Sequence, residues 1–179
     1  MNSRIPIIIP DIEFSDVVND FERIITTGIL TSGSFVVDFE RSVADRVGVD
    51  HAVATTSATT ALHLALTVSG VGQGDEVLVS DFTFPATVNA VIQTGATPVF
   101  VDSGADDFAM DPEHARALVS GRTRVIMPVD PFGQPADHMS LERIAAESGA
   151  RLIVDAACSL GASRGGRECG AHGDMGCFS

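Results

Sequence analysis

The chain has 179 residues, with 24 Asp and Glu against 11 basic residues, all of them arginine, and a net charge of -13. So acidic a surface repels polyanions, which excludes nucleic acid and anionic membrane surfaces as partners. A hydrophobic content of 45% and a charged content of 20% are globular values, and no apolar stretch reaches the length of a membrane span.

The opening run Ile5 to Pro10 is short, broken by proline and followed by Asp11 and Glu13, so no signal peptide is expected. Ser15 is placed to cap a helix carrying Val17, Val18, Phe21, Ile24 and Ile25 on one face and stopped by Gly28. A second helix carries Phe35, Val36, Phe39, Val43 and Val47 and ends at Gly48. His51 to Thr55 reads as a strand. The helix through Ala61 to Leu66 is apolar nearly all round and is expected to be buried. Strands are predicted at Glu76 to Val79, Thr97 to Val101, Arg124 to Val129 and Arg151 to Val154. Between them lie helices at Thr87 to Gln93, after the cap-and-proline pair Asp111-Pro112, and around Leu141, Ile144 and Ala145. Continuous apolar strands alternating with helices predict an α/β fold: a mostly parallel sheet with helices on both faces. Cys158, Cys169 and Cys177 are odd in number and irregularly spaced, which fits reduced thiols in the cytoplasm better than a disulfide framework.

Four segments carry possible chemistry. Thr55 to Ala61 turns from strand to helix through hydroxyl and small residues. The free N–H groups of a helix start bind phosphate there, and the Ser57 and Thr59 hydroxyls can add to them, although either can equally serve as a plain helix cap. Asp155 ends a strand, where ligands of open α/β sheets sit, and a carboxylate there can pair with a protonated ring nitrogen; the alternative is an ordinary cap or surface residue. Phe84, just after a strand, offers a flat face to an aromatic cofactor or is core. In the segment Gly173 to Ser179, two glycines permit tight turns and Ser179 can reach a phosphate. Cys169, His172 and Cys177 match no common zinc spacing, so no metal is expected.

Taken in order, with Gly28 to Gly33, His51-Ala52-Val53, Gly74 to Val77, Gly95 to Asp102, Gly133 to Asp137 and Gly161-Ala162, the chain resembles the DegT/DnrJ/EryC1/StrS sugar aminotransferases. These are pyridoxal-phosphate enzymes of the aspartate-aminotransferase fold type. The resemblance runs from about Ile5 to Ser179 and implies pyridoxal 5'-phosphate as cofactor. It places Ser57, Ala58, Thr59 and Ser179 at the cofactor phosphate, Phe84 on the ring face and Asp155 at the ring nitrogen. Cys158 stands near the ring hydroxyl, where many relatives have Gln, and Asp130 stands where many have His.

It further implies a helical arm over 1–34 and the amino-terminal portion of the cofactor-binding domain over 35–179, with a seven-stranded sheet incomplete and the C-terminal small domain absent. The implied partners are a nucleotide-sugar substrate, an amino-acid donor such as glutamate, and a second copy in a homodimer. The family's covalent lysine falls a few residues beyond Ser179, and no lysine occurs in the chain. The expectation is therefore a truncated aminotransferase, inactive by itself. A lysine-free binding or dimerising module, or a dehydratase of the same family, are the alternatives.

Overall fold

A computed structural model describes residues 11–179, so the reading of Ile5 to Pro10 and the start of the 1–34 arm lie outside the described residues. The chain divides into two compact units, Met1–Phe39 and Glu40–Ser179.

In the first unit, α1 (Phe14–Thr27) is capped by Glu13 and not by Ser15. The Glu13 side chain takes the Asp16 N–H, and the Asp16 carboxylate takes the Glu13 N–H at 3.2 Å. This reciprocal pair satisfies two free donors at once, which a single serine cannot do. Gly28 closes the helix in a left-handed conformation, as its position suggests. None of the α1 residues is buried. Helix α2 (Ser34–Val47) crosses the boundary between the units, and its buried residues, Ala44 and Val47, belong to the second.

The predicted strand at 51–55 is irregular. The Ala54 N–H donates to Glu40 Oε1 at 2.8 Å, and a donor taken by a side chain is lost to a strand ladder. From there the alternation holds: α3 (Ala58–Val68), β1 (Glu76–Ser80), α4 (Pro85–Thr94), β2 (Thr97–Val101), α5 (Pro112–Leu118), β3 (Thr123–Met127), α6 (His138–Ser148) and β4 (Arg151–Asp155). A two-residue hairpin, β5 (Ser163–Arg164) with β6 (Arg167–Glu168), precedes β7 (Met175–Cys177), and sequence patterning revealed none of the three. The sheet has five strands in the order β2-β1-β3-β4-β7, all parallel.

Successive residues of each strand face opposite layers, so a strand buried on both sides must be apolar throughout. Val77, Val79, Val125, Met127 and Ile153 face α3 and α4 with Leu62, Leu66 and Val91. Leu78, Ile126, Leu152 and Val154 face α5 and α6 with Ala115, Leu141 and Ile144. Helices thus cover both faces, as predicted. Helix α3 is less buried than its composition suggests: Leu62, Ala65 and Leu66 are covered, while Leu64 and Val68 are exposed. A helix lying on a sheet can bury one face only.

The β7 edge depends on missing side chains. A Cβ on Gly176 would lie 2.4 Å from the Gly170 Cα, so the loop after β6 packs directly on β7 backbone. Asp174 ties the same segment to β4, its carboxylate accepting the Leu152 N–H at 2.9 Å. Among the described residues, no helix is long and apolar enough to cross a membrane.

Leu78, fully buried in the central strand, and Ile92, exposed on α4, give the first test. Leu78→Ala is expected to cost about 2–5 kcal/mol, and Ile92→Ala less than about 0.5 kcal/mol, by urea denaturation. Equal losses would mean that the two-layer core is misassigned.

Candidate active site at the carboxyl ends of the strands

Because the sheet is parallel, all its strands finish at one edge, and polar groups barred from the two cores emerge there. Asp155 is the last residue of β4 and only 4% exposed. Its Oδ2 accepts from the Thr87 hydroxyl at 2.6 Å, and its Oδ1 accepts from the Ala157 N–H at 3.2 Å. Thr87 also shares a 2.7 Å hydrogen bond with the Thr83 hydroxyl. Two elements thus fix the carboxylate, the turn after β4 and the first turn of α4. Burial pushes its pKa above the ordinary 3.8, the Thr87 and Ala157 bonds oppose the rise, and the charge of Asp130 adds to it.

Phe84 is the residue before α4, with Pro85 at the first helical position, and its carbonyl accepts the Thr87 N–H at 3.1 Å. The helix start that holds Asp155 therefore also presents Phe84, whose ring is 77% exposed. Cys158 is exposed in the turn that follows Asp155. The turn after β3 abuts it: a Cβ on Gly133, which has a φ of +81°, would come within 3.2 Å of the Cys158 carbonyl oxygen.

Helix α3 returns through a short turn into β1, so its first residues lie at the same edge of the sheet. Ser57 caps it, Oγ accepting the Thr60 N–H at 3.2 Å. Ala58 and Thr59 follow as the first helical residues, whose N–H groups have no helical partner. Ser179 stands exposed two residues beyond β7. The predicted residues thus share one edge. Hydrogen bonds join Phe84, Asp155 and the Cys158 turn, whereas none links Ser57 to Thr59 or Ser179 to that group among the described residues.

Two groupings of side chains escaped the sequence reading, which singled out Asp130 only as standing where many relatives have His. The first is the network around the buried Asp130, which accepts from His138 Nε2 at 2.8 Å, from Ser159 Oγ at 2.9 Å and from the Ala136 N–H at 3.0 Å. Burial raises its pKa, but these partners outweigh it and hold the carboxyl below its ordinary value. Cys169 lies within 4.8 Å of Asp130 and His138 ligand atoms, and His172 stacks on His138 with ring centroids 4.5 Å apart. Three donors already converge on the Asp130 oxygens, so the cluster reads as a hydrogen-bonded network. The second feature is an aromatic group in which Phe82 meets Phe108 at 5.2 Å and Phe132 at 5.8 Å. Phe108 and Phe132 both have a φ of 56°, in the left-handed region. No periodic pattern marks either feature, because their members come from separate segments of the chain.

The raised pKa of Asp155 has a consequence for stability. The folded chain holds the Asp155 proton more tightly than the unfolded chain, so this residue contributes no penalty below the ordinary 3.8 and its contribution is lost as pH rises through the folded value. Asp155→Asn is therefore expected to stabilise the fold at pH 7, by roughly the 0.5–2 kcal/mol usual for a stabilising substitution, read as a higher melting temperature. The gain should disappear below about pH 4. A variant less stable at pH 7 than at pH 4, relative to the parent chain, would refute the buried-charge account.

The DegT/DnrJ/EryC1/StrS aminotransferase family model matches residues 12–179. GDP-perosamine synthase of Caulobacter vibrioides is 40% identical over 176 residues, covering 98% of this chain and 47% of that protein. UDP-N-acetyl-3-dehydro-alpha-D-glucosamine 3-aminotransferase of Acidithiobacillus ferrooxidans is 43% identical, covering 84% and 42%. Among solved structures, 3-amino-5-hydroxybenzoic acid synthase superposes with a TM-score of 0.88 at 39% identity, covering 95% of this chain and 44% of that one. The chain thus spans about half the length of the relatives it matches. Matched along nearly its whole length by the family model, and folded as the type I aminotransferases are, the chain belongs to the DegT/DnrJ/EryC1/StrS aminotransferase family.

Proposed function

We propose that this chain forms the cofactor-binding half of an enzyme that moves an amino group from an amino acid such as glutamate to the keto group of a nucleotide-linked sugar, using pyridoxal 5'-phosphate. The observation that carries this reading is Asp155: a buried carboxylate with raised proton affinity, fixed by Thr87 and Ala157 at the carboxyl end of a parallel sheet. The names of the relatives support the substrate class, since both act in the chemistry of nucleotide-activated or amino sugars.

The residues present suit the cofactor. The free N–H groups of Ala58 and Thr59 at the start of α3 form an anion cradle, to which the Thr59, Ser57 and Ser179 hydroxyls are assigned as further phosphate donors. Phe84 supplies an exposed aromatic face for stacking on a ring. Cys158 is assigned to the side of the ring hydroxyl. When bound, the cofactor supplies an electron sink for the carbon that exchanges the amino group. Asp155 would hold a proton on the ring nitrogen, and the hydrogen bonds to Thr87 and Ala157 would keep its oxygens from turning away. The buried layers beneath it exclude water from that contact. None of the 179 residues is lysine, so on this reading the covalent amine of the chemistry would have to come from residues other than these. We assign residues 1–34 to a helical arm and 35–179 to part of the large domain, with a second copy closing the site. The lysine-free composition also supports a second reading, a binding module without catalysis.

The complete gene product tests the choice. With pyridoxal 5'-phosphate and glutamate it should aminate nucleotide-linked keto sugars, and Asp155→Asn should lower kcat by at least about a hundredfold, the scale of a lost proton-holding group. A gene product without lysine, or one that takes up no cofactor on dialysis against it, would sink the aminotransferase reading.

A further inference from the structure

The turn that follows β4 is closed by its own backbone, the Ser159 N–H donating to the Ala156 carbonyl at 3.0 Å. Its entry is tied on both sides. The Asp130 N–H donates to the Asp155 carbonyl at 3.1 Å, and the Ala156 N–H donates to the Cys177 carbonyl of β7 at 2.9 Å. Its exit is tied by a side chain: Ser159 is 1% exposed, and its hydroxyl donates to Asp130 Oδ2 at 2.9 Å. The Ala156 carbonyl lies farther from that hydroxyl, at 3.3 Å, and a hydroxyl has one proton to give, so the nearer carboxylate takes it. Between entry and exit stand Ala157, whose N–H reaches Asp155 Oδ1 at 3.2 Å, and the exposed Cys158.

We propose that Ser159 is a positioning residue: its hydrogen bond to Asp130 pins the exit of the turn, so that the Ala157 N–H stays on the Asp155 carboxylate and Cys158 stays at the edge beside it. The Asp130 carboxylate is oriented for this. Its Oδ1 accepts from both His138 Nε2 and the Ala136 N–H, which leaves Oδ2 to Ser159. His138 belongs to α6, in one helical layer, whereas Thr87, the other partner of Asp155, belongs to α4, in the opposite layer. The segment 155–159 is therefore gripped from both faces of the sheet, Asp155 from the α4 side and Ser159 from the α6 side. One grip cannot replace the other. Thr87 holds Oδ2 of Asp155, while Oδ1 depends on an N–H inside the turn, and that N–H keeps its place only while the turn does. The loop that carries Asp130 also walls the turn from outside, since a Cβ on Gly133 would lie 3.2 Å from the Cys158 carbonyl oxygen.

The functional meaning of this tether rests on the reading above, in which Asp155 holds the ring nitrogen of the cofactor; the tether itself does not. The test is amide hydrogen exchange, followed by NMR, on the complete gene product without cofactor. Ser159→Ala removes the hydroxyl and little else. In that variant the amides of residues 157 and 159 should exchange about ten- to a hundredfold faster, the scale of a lost hydrogen bond to a carboxylate. Those of Ile126 and Ile153, buried in the middle of β3 and β4, should exchange as in the parent chain. Unchanged exchange at 157 and 159 overturns the proposal. So does an equal acceleration at Ile126 and Ile153, which would make Ser159 a residue of general stability. Should Ser159→Ala fail to fold, Ser159→Cys, close in shape but a weak donor, is read by the same amides with the same outcomes. In the cofactor-loaded protein, Ser159→Ala should lower kcat and leave the KM for the nucleotide-linked sugar unchanged; a change in KM alone overturns the link to Asp155. A parent protein that takes up no pyridoxal 5'-phosphate would refute the aminotransferase reading and leave the exchange result standing.

Discussion

A parallel sheet covered by helices on both faces has nowhere to put polar chemistry except at its strand ends. Here that constraint is met residue by residue. Val77 and Val79 face one helical layer, Leu78 faces the other, and β3 and β4 repeat the alternation with Val125, Ile126, Met127, Leu152, Ile153 and Val154. A charge introduced at any of these positions would be buried without a partner. At the last residue of a strand the geometry changes, because the backbone leaves the layer and fresh donors become available. Asp155 sits at that point on β4, and Asp130 just beyond β3. The fold therefore does not merely carry the site; it restricts the site to one edge.

The two acids illustrate how that edge divides its donors. Three converge on Asp130 and two on Asp155, and for each acid one of them, Ser159 and Thr87 respectively, comes from an element far away in the chain. The structure thereby stabilises one buried charge and leaves the other group costly to ionise. A carboxylate that is expensive to ionise in the absence of a partner is well suited to a cationic one, since pairing removes the cost. In the role proposed for Asp155, stability and function pull against each other.

Much of this was legible in the sequence, for identifiable reasons. The strands at 76, 97, 123 and 151 are short, largely apolar runs bounded by turn residues, and their length and β-branched content mark them as strands even where, as at 97, the strand is an edge with Thr97 and Phe100 exposed. Asp111 before Pro112 marked the start of α5, where its carboxylate accepts the Glu113 N–H at 2.9 Å. Asp155 was legible by position alone. What failed depended on partners. The segment 51–55 has the composition of a strand, but Glu40 takes a donor that a ladder would need. β7 is three residues long with a glycine at its centre, and it is a strand because Asp174 and the β4 backbone hold it there. Thr87 is 68 positions from Asp155, and nothing in a single sequence pairs them.

The rim of the site shows the same dependence on long-range packing, now against the local preference of the backbone. Phe108 and Phe132 occupy left-handed conformations that disfavour a bulky residue, at a cost of order 1–3 kcal/mol each. Each ring meets Phe82 in a tilted contact, worth roughly 0.5–1.5 kcal/mol beyond the area it covers. Strain and stacking are therefore comparable, and neither loop would hold its shape by local propensity. Phe82 lies between β1 and α4, two residues before Phe84 and five before Thr87. The rings thus couple the loops after β2 and β3 to the same short segment that places Phe84 and fixes Asp155. The aromatic group sets the outline of the edge as the hydrogen bonds set its charge, and both converge on residues 82–87.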